Sequence, residues 1–129
     1  MDHRQLIDDF EGGLISPDSF HHADHVHLAL EYLCEYPVLG ALDRFTSALK
    51  RFAVAIGKPQ LYNETITCAY FFLIRERMAR HGVTDWEEFA RLNPDLLSWR
   101  NGILSRYYRE ATLRSDLARD VFVFPDRFP

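Results

Sequence analysis

The segment Asn63-Glu-Thr-Ile-Thr-Cys-Ala-Tyr-Phe-Phe-Leu-Ile74 decides the fold, because it is apolar on nearly every side from Ile66 to Ile74. A helix that is hydrophobic all round has to be covered by other elements. We therefore predict a central helix over about residues 63–80, which begins after a favourable N-cap residue and ends at Gly82.

Hydrophobic periodicity predicts further helices on both sides of this segment. One apolar stripe, repeating with helical spacing, predicts a helix over about residues 38–56 that ends at Gly57 and contains Val38, Leu42, Phe45, Leu49, Phe52 and Ile56. Other helical stretches are predicted at about 4–10, 20–35, 84–92, from 94, at 103–109 and at 113–120. In the stretch at 84–92, Thr84-Asp-Trp-Glu87 is typical of a capping box. No pair of segments alternates as strands do, so we predict one all-α domain over 1–129. It is a single compact helical bundle of about five to six helices with a short extended C-terminal tail from Val121.

Composition narrows the classes of function. A net charge of −4 argues against a nucleic-acid partner, because such binding depends on a basic face. No apolar run approaches the roughly 18 residues of a membrane span. The first residues lack the pattern of a signal peptide, and Cys34 and Cys68 lack CxxC spacing, so we expect buried thiols and a cytoplasmic location. The expected partner is a small-molecule substrate, and a homodimer is left open.

Four of the six histidines, His21, His22, His25 and His27, lie within seven residues. At about 100° per residue, the first three share the apolar face of their predicted helix. His27 points the other way, beside Glu31, toward solvent. The spacings i, i+3 and i, i+4 let two imidazoles of one helix reach the same metal ion.

Glu64, at the opening of the central helix, is the best candidate for a third ligand. Two histidines and one carboxylate with open positions form the arrangement of non-haem iron(II) sites, and zinc or manganese also fits. We therefore predict a divalent metal, iron, zinc or manganese, bound by His22, His25 and Glu64, with His21 as a further candidate. The structural alternative is that Glu64 only favours the helix macrodipole and that the histidines hydrogen-bond to backbone or carboxylates.

Arginines and tyrosines are concentrated in the C-terminal third, where they can bind a carboxylate or phosphate ligand. A solvated face with i, i+4 ion pairs is the alternative interpretation. The predicted catalytic residues are Glu64, His25, Tyr108 and Arg119. The predicted substrate-binding residues are Tyr32, Thr67, Phe71 and Arg114.

Several motifs together resemble a family of small, largely uncharacterised bacterial helical proteins. They are Phe20-x-His22-x-x-His25, Tyr62-Asn63-Glu64-Thr65-Ile66-Thr67, Tyr107-Tyr108, Leu113-x-Ser115-x-x-Ala118-Arg119 and Phe122-x-x-Pro125-Asp126. The resemblance covers most of the chain from Phe20 onward. In the family pattern a histidine precedes the Glu-Thr pair, and the resemblance implies that three histidines and a glutamate converge. This chain has Asn63 at that position, and an amide is a much poorer ligand for a transition metal.

Three functions are compatible with these patterns. The favoured prediction is a small metal-dependent enzyme that acts on a small organic substrate at a His/Glu site, by oxidation, hydrolysis or carbonyl polarisation. The first alternative is a metal-free acid–base isomerase, lyase or cyclase that uses a histidine and Glu64. The second alternative is a non-enzymatic module that binds a ligand or a partner helix, with the histidines as core or pH-sensing residues.

Overall fold

The computed structural model describes residues 3–99 and 102–127, which form eight α-helices, three short 3-10 helices and no strand. The helices are α1 (His3–Glu11), α2 (His22–Glu35), α3 (Val38–Ala55), α4 (Glu64–His81), α5 (Trp86–Leu92), α6 (Pro94–Leu97), α7 (Glu110–Leu113) and α8 (Asp116–Asp120). Five of them have seven or more residues, so the predicted all-α bundle is confirmed. None of the helices within these ranges combines the length and apolar character that crossing a bilayer requires.

The start of α2 lies two residues later than the sequence predicts. Pro17–Ser19 forms a 3-10 helix, and His21 becomes the N-cap. The carboxylate of Asp24 then accepts a hydrogen bond from the backbone N–H of His21, at 2.8 Å. This leaves His22 as the first residue of α2 and turns both His22 and His25 toward the interior.

Caps also move the later boundaries. Asp85 rather than Thr84 caps α5, because its Oδ2 accepts from the Glu88 N–H at 3.1 Å. The predicted helix over 113–120 begins only at Asp116, as α8, because the Ser115 hydroxyl accepts from the Ala118 N–H and caps it. Leu113 is instead the last residue of α7. The predicted helix at 103–109 is only the 3-10 turn Ile103–Arg106.

The helices α2 and α4 form the middle of the bundle. α2 packs against α1, α3, α4 and α6, and α4 packs against α2, α3 and α8. The prediction that α4 is covered on several sides is therefore confirmed. The largest side chains with less than 2% exposure are Tyr32, Tyr108, Phe71 and Phe89.

The extended tail packs on its own bundle. The hydroxyl of Thr65, in the first turn of α4, donates to the Val121 carbonyl at 2.8 Å and accepts from the Val123 N–H at 3.0 Å. The Tyr108 hydroxyl donates to the Val123 carbonyl at 2.7 Å. Asp126 continues the attachment, since its carboxylate accepts from the Arg109 N–H at 3.0 Å. Polar groups of the bundle thus supply the hydrogen-bond partners that a neighbouring strand would supply in a sheet.

A buried carboxylate, Glu31, joins α1 to α2. It is 4% exposed and accepts hydrogen bonds from His3 and His27, the latter at 3.0 Å. Burial acts to raise the pKa of Glu31, but the two histidines outweigh it and hold that pKa below its usual value. The prediction that His27 points to solvent is wrong, because its half-buried ring stacks on Trp86 with centroids 4.4 Å apart.

Both cysteines are free thiols, as predicted from their spacing. Cys68 is buried, whereas Cys34 is only partly covered. Burial raises the pKa of each thiol to about 11. Both therefore remain protonated near neutral pH and have little of the thiolate that reactive cysteines need.

Candidate functional site

A cavity of about 890 Å³ lies between α2, α3 and α4. Its interior is apolar, with side chains from all three helices that include Val26, Ala29, Phe45, Leu49, Phe71 and Ile74. The exposed residues Asp18, Lys58 and Arg114 also line it, so the cavity reaches the protein surface. Cavities of this size and character are typical of small-molecule sites in proteins.

His25 lies in the wall of this cavity, with its ring centroid 4.2 Å from that of Phe20. Its imidazole has no hydrogen-bond partner among the described residues. No fully buried side-chain nitrogen or oxygen in residues 3–99 and 102–127 lacks a partner, so the ring nitrogens of His25 must be accessible. Burial, with a smaller contribution from His22, lowers the pKa of His25 to about 4. The ring is therefore neutral at pH 7.

His22 lines the same cavity but is held by the protein. Its Nε2 donates to the carbonyl of Leu96 at 2.9 Å, which leaves Nδ1 as the acceptor nitrogen. The ring packs against Tyr70 and Trp99, with centroids 4.7 and 5.3 Å away. Burial lowers the pKa of His22, although the bond to Leu96 acts in the opposite direction.

Glu64 lines a different, smaller depression of about 440 Å³, together with Lys50 and Asp120. Its Oε1 accepts from the Tyr62 hydroxyl at 2.5 Å. Tyr62 and Arg119 line both this depression and the large cavity. The structure thus brings His22 and His25 together in the large cavity. It places Glu64 in the neighbouring depression, because this first residue of α4 accepts a hydrogen bond from Tyr62, which precedes the helix.

The other predicted site residues fall into two groups. His21, Thr67, Phe71, Arg114 and Arg119 all line the large cavity. Tyr32 and Tyr108 do not, although both were predicted to contribute to the site. Their buried hydroxyls are used inside the fold, where Tyr32 donates to Glu11 at 2.5 Å and Tyr108 donates to the tail.

Three of the four positions that the family resemblance implies as metal ligands have other partners here, and within the part of the chain that the structure describes only His25 does not. Asn63 caps α4 through its Oδ1, which accepts from the Ile66 N–H at 2.9 Å, and its Nδ2 donates to the Leu113 carbonyl at 2.9 Å. His22 and Glu64 are also hydrogen-bonded, as described above. Over the described ranges, no group of three or more His, Cys, Asp or Glu side chains is arranged to hold a metal ion. As arranged, this donor set does not fit the predicted iron, zinc or manganese, and the metal site stays a prediction.

The lining residues that were not predicted as part of the site include Lys58, Tyr62, Tyr70 and Trp99. Burial raises the pKa of Tyr70 to about 12, so its hydroxyl stays protonated. Gly102 makes room for this ring, because a Cβ added there would lie 2.9 Å from the Tyr70 Oη and 3.1 Å from the Trp99 carbonyl oxygen. The one available sequence signal was Pro59, which starts a 3-10 helix that directs Lys58 and Tyr62 to the cavity.

The motifs behind the family resemblance have clear places in this structure. Phe20, His22 and His25 form one end of the cavity wall, and Thr65 fastens the tail segment that contains Phe122 and Pro125. Comparison of the chain with protein-family models, with curated proteins and with solved structures finds no match.

Proposed function

We propose that the cavity binds a small organic molecule with an apolar body and that His25 exchanges a proton with the bound molecule. The observation that carries this proposal is an accessible imidazole without a protein partner in the wall of an apolar cavity of about 890 Å³. A polar group in such surroundings is costly unless it finds a hydrogen bond. A bound ligand can supply that hydrogen bond, which also places a ligand proton within transfer distance of a His25 ring nitrogen.

The neutral imidazole can accept a proton from an acidic C–H or O–H group of the ligand and return it to another atom. The Tyr70 hydroxyl has no partner among the described residues and stays protonated, so it is the candidate donor to negative charge that develops on the ligand. His22 is fixed by the Leu96 carbonyl and keeps the aromatic wall in place. Proton removal and return at one site is the chemistry of an isomerase, lyase or cyclase.

A ligand-observed NMR screen of small organic molecules tests binding and turnover together. Ala29→Phe, from α2, and Ala53→Phe, from α3, each place a ring in the cavity, because both alanines are buried and line it. We expect ligands of the wild-type protein to lose at least about tenfold in affinity in both variants. His25→Gln keeps the shape of the cavity, so we expect it to retain binding and to lose about 10²–10⁴-fold in turnover.

Three outcomes would contradict the proposal, provided that circular dichroism shows the variants folded. Ligand binding that is unchanged in both cavity-filling variants would place the ligand elsewhere. Turnover that survives in His25→Gln would remove the general base. Binding without turnover in the wild-type protein would favour the non-enzymatic module, which the His25 pKa of about 4 also supports, because so weak a base is poorly matched to neutral pH.

The metal-dependent alternative is tested by elemental analysis of untagged protein. Because His22, Asn63 and Glu64 already have hydrogen-bond partners, we expect less than stoichiometric metal after reconstitution under anaerobic conditions. The double variant His22→Ala/His25→Ala is the control. Near-stoichiometric iron, zinc or manganese that disappears in this variant would replace acid–base catalysis with metal-dependent catalysis.

A further inference from the structure

Positive charge is concentrated at the cavity, although the chain as a whole carries a net charge of −4. Three cationic residues, Lys58, Arg114 and Arg119, line the cavity, against one carboxylate, that of Asp18. A concave apolar surface with charges of one sign raises the local concentration of ligands of the opposite sign. The cavity therefore favours anionic ligands, although the rest of the protein carries an excess of negative charge.

These three cations are available to a ligand. The Lys58 ammonium has no hydrogen bond or ion pair with any residue that the structure describes. Arg114 pairs with Glu110 at 2.6 Å, but both side chains are more than three quarters exposed. Arg119 pairs with Asp116 at 2.7 Å, and the Asp116 side chain is 90% exposed. Exposed pairs of this kind contribute little free energy, so a ligand group can replace the carboxylates.

The part of the cavity wall away from these cations fits the apolar part of a ligand. Helices α2, α3 and α4 contribute aliphatic and aromatic side chains to the interior, and Asn63 and Thr67 are the main polar groups that α4 and its N-cap add. Among the described residues of the lining there is a single carboxylate, so a cationic ligand finds little compensation. Apolar interior and cationic rim together match a molecule with a hydrophobic tail and one negative head.

We infer that the cavity takes an amphipathic organic carboxylate, whose apolar body lies between α2, α3 and α4 and whose head group is bound by Lys58, Arg114 and Arg119. This inference rests on the proposed function, since it names the class of ligand for the same cavity. Carboxylate and guanidinium form charge-assisted, frequently bidentate hydrogen bonds, which suits two arginines at the rim. The same head group also lies in the cavity that contains His25, where negative charge favours the protonated imidazole.

Isothermal titration calorimetry with three probes of equal chain length tests this class. Octanoate, 1-octanol and octyltrimethylammonium each have an eight-carbon chain and differ in the head group. The eighth carbon of octanoate is the carboxylate carbon, so its apolar tail is one methylene shorter, and this difference acts against the expected order. We expect octanoate to bind about tenfold more tightly than 1-octanol, and the cation to bind most weakly. Raising the salt concentration should weaken only the binding of octanoate, because exposed charges are screened.

The triple variant Lys58→Ala/Arg114→Ala/Arg119→Ala should bring octanoate to the affinity of 1-octanol and leave 1-octanol unchanged. Arg44→Ala/Arg51→Ala/Arg75→Ala is the matched control, because it removes the same charge from exposed positions that do not line the cavity. Equal affinities for octanoate and 1-octanol in the wild-type protein would overturn the inference and leave the cavity proposal standing. Octanoate binding that survives in the triple variant would also overturn it. If none of the probes binds, or if Ala29→Phe changes no affinity, the proposed function itself fails.

Discussion

Replacement of Thr65 by valine is expected to lower the free energy of unfolding by about 2–3 kcal/mol, although the two side chains have nearly the same shape. Thr65 is fully buried, and its single hydroxyl both donates to the Val121 carbonyl and accepts from the Val123 N–H. Valine leaves the Val121 carbonyl and the Val123 N–H without this partner, and each such group costs about 1–3 kcal/mol if it stays out of contact with water. Release of the tail to water limits the total.

Urea denaturation followed by circular dichroism measures this loss, and hydrogen exchange at the Val123 amide reports release of the tail directly. Thr65→Ser is the matched control, because it keeps the hydroxyl and removes only one buried methyl group, at a cost of about 1 kcal/mol. We expect faster exchange at Val123 in the valine variant than in the serine variant. If serine destabilises the protein more than valine, methyl packing rather than the hydrogen bonds attaches the tail.

Acidification from pH 6.5 to about pH 4 is expected to remove up to about 3 kcal/mol of stability through His25. The pKa of His25 is about 4 in the folded protein, against 6.5 for an unperturbed histidine. The unfolded chain therefore binds a proton at a higher pH than the folded chain does. As the pH falls through this window, protons stabilise the unfolded state, and the difference is complete only below pH 4. His22, whose pKa burial also lowers, adds a contribution of the same sign.

The measurement is a series of urea denaturation curves from pH 7.5 to pH 4, for the wild-type protein and for His25→Gln. Glutamine does not titrate, so the variant should have a markedly flatter stability profile between pH 6.5 and pH 4. Carboxylates with lowered pKa values, such as those of Glu31 and Asp95, lose their contributions at a still lower pH. Parallel profiles for the two proteins would show that His25 is already solvated, and its role as a buried base would then be untenable.

The helices with long apolar stripes were predictable because helical period and burial give the same answer. The stripe of α3 and the all-round apolar surface of α4 led to ends within one or two residues of those observed. Errors occurred where a local cap decided the boundary. At the start of α8 and at the start of α5, a single hydrogen bond to a capping serine or aspartate sets the first helical residue. The apolar pattern alone would have begun both helices earlier.

The site was predictable as far as one helix determines it. His22 and His25 share a face of α2, and that face lines the cavity. A helical wheel gives the direction of a side chain but not its neighbour on another element. It therefore could not show that the Tyr32 hydroxyl donates to Glu11, or that the Tyr62 hydroxyl donates to Glu64.

The same limit explains why the surroundings of His27, the one histidine of the cluster that does not line the cavity, were not predicted. His27 and Glu31 were predicted to lie side by side on α2, and their contact at 3.0 Å confirms it. Their burial depends on His3 from α1 and on Trp86 from α5, which are far away in sequence. Helical periodicity places this pair on the surface of α2, but in the folded protein the pair connects α2 to α1 and α5.

The close approach of Gly102 to Tyr70 has a consequence for the shape of the cavity. A methyl group at position 102 meets the backbone of Trp99 on one side, so the free end of the tyrosine is what has to move. Since Tyr70 is part of the cavity wall, the residue at position 102 controls the shape of a surface that it does not itself line. In the ligand site that we propose, specificity would therefore depend partly on a loop glycine, and a redesign confined to the residues that line the cavity would leave this determinant unchanged.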